Sequence, residues 1–120
     1  MEINPKRGEI EIKLGDKSYA GRVTIDNLMR IENSLGKGVV KVAQSMSEGD
    51  ITISELLAII KPVIASGGSK IEDKELSQIV WNAGLTEGIR VASEILATAL
   101  LAGQQGNSEG NVEQAELTGT

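Results

Sequence analysis

The spacing of apolar residues changes once, at Thr24, and the change divides the chain into two kinds of structure. Before it, Ile10, Ile12 and Leu14 alternate with Glu9, Glu11 and Lys13. A period of two predicts a half-buried β-strand, because successive strand side chains point to opposite faces. Gly15-Asp16-Lys17 makes a turn, and beyond it Tyr19, Gly21 and Val23 alternate with Ser18, Ala20 and Arg22. Together they predict a β-hairpin over about residues 9–23, after an irregular lead-in of eight residues. Two strands alone are marginal in water, so the hairpin's apolar face needs a cover.

Helices supply it. Thr24 caps a run in which Ile25, Leu28, Met29, Ile31 and Leu35 fall at helical spacing, and Gly36 ends it. Val39, Val40, Val42, Ala43 and Met46 predict a shorter second helix, broken by Ser47-Glu48-Gly49-Asp50. In the third, Thr52 and Glu55 have capping-box spacing, and Ile53, Leu56, Leu57, Ile60, Val63 and Ile64 make one stripe. Pro62 interrupts that stripe and predicts a kink or a lost bond near Ala58; Gly67-Gly68 stops the helix. Ile71 and Leu76 are placed as a hydrophobic staple around a fourth start at Glu72, with Glu75 reaching back. Its stripe is Leu76, Ile79, Val80 and Ala83, and Gly84 closes it. Thr86 caps the fifth helix, with Ile89, Ala92, Ile95, Leu96, Ala99 and Leu100 as its stripe and Gly103 as its stop. The expected fold is therefore α+β: an N-terminal hairpin packed on four to five short helices. They form one globular domain over residues 1–103. Residues 104–120, polar and acidic with few apolar side chains, are expected to be a disordered tail.

What such a domain can do is narrowed by what it lacks. The 120 residues contain no Cys and no His, which removes disulfides, zinc sites of the common kind, Cys or His nucleophiles and a Ser–His–Asp triad. One Tyr and one Trp are the whole aromatic content, so no stacking platform for single-stranded nucleic acid exists. Twelve basic against seventeen acidic residues give a net charge of −5, and the basic residues are scattered. Nucleic acid is thus not an expected partner. The longest apolar run, Ile95 to Ala102, is too short to span a bilayer, and without an apolar signal core the expected location is the cytoplasm. No enzyme, no cofactor and no metal is expected.

The acidic motifs have plainer explanations. Gly49, Ile51 and Glu55 match three positions of an EF-hand loop, but Gln44, Met46 and Glu48 stand where the opening ligands belong. Glu55 is also explained by its cap. Glu72, Asp73 and Glu75 complement a helix N-terminus without any ligand. Gly67-Gly68-Ser69-Lys70 and Gly36-Lys37-Gly38 lack phosphate-loop spacing. Two apolar features point instead to a partner. Trp81 is either the edge of the core or an exposed anchor. The last helix is apolar over more than one stripe, so it is either central or meets another chain. The candidate partner-binding residues are Trp81, Ile95, Leu96, Leu100 and Leu101.

The order of these features resembles a family. Pro5, then Arg7-Gly8-Glu9 opening a strand, a Gly turn, Tyr19 and Arg22 lead into Thr24 and a helix with Leu28 and Ile31-Glu32. Gly36, a small helix, the helix start at Ile51 with Ser54-Glu55-Leu56-Leu57, and a last helix after Gly84-Leu85 follow. Over about residues 5–102 this resembles the small tail proteins of gene transfer agents, tailed phages and prophages. They are classed as tail assembly chaperones and, in some labelling, as tail tube proteins. The resemblance implies a non-enzymatic protein of the bacterial host's cytoplasm, acting during tail assembly. It would bind the tape-measure protein and tail tube subunits and associate with itself. An acidic surface around an apolar groove suits the chaperone role. The alternative is a structural tail component, tube or connector, that self-assembles. One hairpin among so many helices places that alternative second.

Overall fold

The structure, a computed structural model, describes residues 8–110, with side chains described as far as Leu101. Strands β1 (Glu9–Leu14) and β2 (Lys17–Arg22) pair antiparallel, with Leu14 opposite Lys17. The turn is therefore Gly15-Asp16 alone, tighter than the sequence suggests, and Lys17 opens β2. Ile12 and Leu14 are buried, while Glu11 and Lys13 are exposed. Five helices follow: α1 (Ile25–Leu35), α2 (Val39–Ser47), α3 (Ile53–Ser66), α4 (Asp73–Ala83) and α5 (Leu85–Gly110). The fold is α+β.

Helix α3 is the hub. It packs against α1, β2, α4 and α5, and Leu56, Ile59, Ile60, Val63 and Ile64 are all buried. Ile59 lies off the stripe read from the sequence; a helix with neighbours on several sides buries more than one stripe. Of the two alternatives open for the last helix, central or facing another chain, the central position belongs to α3. Helix α5 buries a single face, Val91, Ala92, Ile95 and Leu96, against α3 and its other neighbours. Helix α3 also runs unbroken through Pro62; Pro has no N–H, so the Ala58 carbonyl lacks the usual helical donor.

The caps set the element boundaries. Thr24 Oγ1 accepts from Asn27 N–H at 3.1 Å, and Gly36 closes α1 at φ 73°. At α3 the capping box is complete: Glu55 N–H donates to Thr52 Oγ1 (3.1 Å) and Thr52 N–H to Glu55 Oε1 (3.0 Å). Two expected caps are absent. Glu72 precedes α4 without any side-chain cap, so Glu75 does not reach back. Thr86 lies inside the first turn of α5, because the Gly84 carbonyl already accepts from Glu87 and Gly88 N–H. The stop expected at Gly103 does not occur either, and α5 continues to Gly110. Of the expected tail, residues 111–120 lie outside the described residues.

Side chains of the helices also reach the hairpin's edges. Val23 N–H donates to the Gly8 carbonyl (2.8 Å), so by the antiparallel alternation Glu9, Glu11 and Lys13 of β1 and Ser18, Ala20 and Arg22 of β2 turn their backbone groups outward. The Arg22 carbonyl accepts from Asn27 Nδ2 at 2.7 Å, and the Lys13 carbonyl from Arg90 at 3.1 Å. Gly67 packs so closely on the Ala20 carbonyl that a Cβ there would lie 1.9 Å from its oxygen.

Candidate interaction surface

The five candidate residues separate into two groups. Ile95 and Leu96 are buried in the core among α3 and α5, so they hold the protomer together and are not on its surface. Trp81, on the last turn of α4, is 70 % exposed, which settles it as an outward-facing side chain. Leu100 and Leu101 are 39 % and 51 % exposed. Helical geometry explains part of the split: Ile95 and Leu96 face the hub and Leu101 lies on the outer side of α5, while Leu100, one turn past Leu96 at the edge of the same face, is partly uncovered.

Several residues read as core are on the surface. Ile25 is 74 % and Met29 55 % exposed, four residues apart on one face of α1. Ile53, in the first turn of α3, and Val40 on α2 are exposed as well. Leu85 and Ile89 are each a little over one third exposed and share a face of α5. A Cβ on Gly88 would lie 3.0 Å from Val80 Cγ1, which sets the first turn of α5 against the last turn of α4. Leu85 and Ile89 therefore lie beside the turn that carries Trp81. The sequence signal was present but ambiguous: Ile25, Met29 and Ile89 sit at stripe edges, where a small rotation of the helix decides between core and solvent.

Several charged groups are engaged as caps and ion pairs. Glu55 binds the Thr52 N–H and lies 3.6 Å from Lys37 Nζ. The Thr52 N–H is the main cause that lowers its pKa, with Lys37 assisting against partial desolvation. Asp73 pairs with Lys61 at 2.6 Å. Arg90 bridges Glu87 (3.0 Å) and Glu94 (3.1 Å) while its guanidinium also donates to the Lys13 carbonyl. Its hydrogen bond to Glu87 raises the Arg90 pKa and lowers that of Glu87. A groove of about 560 Å³ runs between α1 and α3, over Leu57, Ala58 and Pro62, with Arg30 and Lys61 at its sides. Among the described residues no cluster of acidic side chains is placed to hold a metal ion, and no helix is long and apolar enough to cross a membrane.

Comparison with known proteins adds one match. A family model described as phage tail tube protein, GTA-gp10, matches residues 7–102. That span begins beside β1 and ends just past Leu101, so it takes in the hairpin, all of the buried core and both exposed faces. No curated protein and no solved structure matches the chain.

Proposed function

The chain belongs to the family described as phage tail tube protein, GTA-gp10, and on that premise we propose that it is a structural tail component, a tube or connector subunit that assembles with copies of itself. The observation that carries the proposal is the extent of the family match, which covers the folded body from the hairpin to α5. The family description reverses the ranking drawn from the sequence, where a single hairpin put the tube second. On the hairpin's outward edges the Arg22, Lys13 and Ala20 carbonyls are approached by Asn27, Arg90 and Gly67. On the helix faces, exposed Ile25, Met29, Trp81, Leu85 and Ile89 supply apolar surface for contacts between subunits.

The proposal contains no catalytic step. Glu55 and Asp73, two of the acidic side chains the sequence singles out, serve as a helix cap and an ion-pair partner. Assembly takes place in the cytoplasm of the bacterial host. A second reading, a chaperone holding the helical tape-measure protein, is favoured by Leu100 and Leu101, which leave apolar surface on α5 away from Trp81's turn. One pair of experiments separates the two. The purified chain alone, concentrated stepwise and followed by light scattering and electron microscopy, should form rings or tubes. If it stays monomeric, and instead keeps a long helical partner from neighbouring genes soluble on co-expression, the chaperone reading replaces the structural one.

A further inference from the structure

We draw no further inference here: the strongest candidate, the exposed apolar patch of Trp81, Leu85 and Ile89 where α4 meets α5, carries none because nothing in the structure shows what covers it.

Discussion

Asn27 and Gly67 hold the hairpin to the helices, and neither has an apolar side chain. Asn27 is almost fully buried; its Nδ2 donates to the Arg22 carbonyl and to Ser66 Oγ, both at 2.7 Å. Asn27→Ala leaves the carbonyl with no donor from α1 and should cost about 2 kcal/mol. At Gly67 the obstacle is space. Its φ of −81° suits any residue, but a Cβ would collide with the Ala20 carbonyl and push α3 off β2. Gly67→Ala should therefore cost about 3 kcal/mol, in the range of severe overpacking. Gly36→Ala is the control: nothing lies within 4 Å, so only its left-handed φ of 73° matters, and the cost is about 1 kcal/mol. Urea unfolding followed by circular dichroism would rank the three, and a Gly67→Ala no worse than Gly36→Ala would show that the close approach relaxes freely. Neither contact was legible in the sequence. Asn27 is bonded to Ser66 across 39 positions, and a glycine at a helix end reads as a stop whether or not a strand is packed against it.

At the scale of elements, local signals were the legible ones. The hairpin, the five helices, the Thr24 cap, the Thr52–Glu55 box and the stops at Gly36, Gly67 and Gly84 depend on residues within a few positions of each other. Which helix is central depends on all the others, and that is where the sequence left the place of α5 open and missed Ile59. The same distinction explains why Ile25 and Ile53 were assigned to core stripes: each has the right spacing, but sits in a first turn that extends past its packing partner. The Thr52–Glu55 box also supplies a pH test. Glu55's folded-state pKa is lowered chiefly by the Thr52 N–H, so its contribution is present above the unfolded-state value and is lost as pH falls through the lowered folded value. Glu55→Gln should cost about 0.5–1 kcal/mol near neutral pH. The gap to wild type should close in acid, as protonation of the wild-type carboxyl removes what the variant already lacks. A gap that is independent of pH would mean that the charge on Glu55 plays no part.

For the whole molecule, the aliphatic core and the single Trp on the surface give assembly a built-in reporter. Trp81 is the only tryptophan, and it is 70 % exposed in the protomer. Its surroundings in the folded chain are already largely aqueous, so chemical unfolding should shift its emission little while circular dichroism records the whole transition. Covering the α4–α5 face with another copy changes the environment far more than unfolding does, because the indole passes from water into an apolar contact. Emission should therefore move to the blue as concentration rises, in step with the growth in mass. Mass growth without any shift would place assembly on a face that excludes α4.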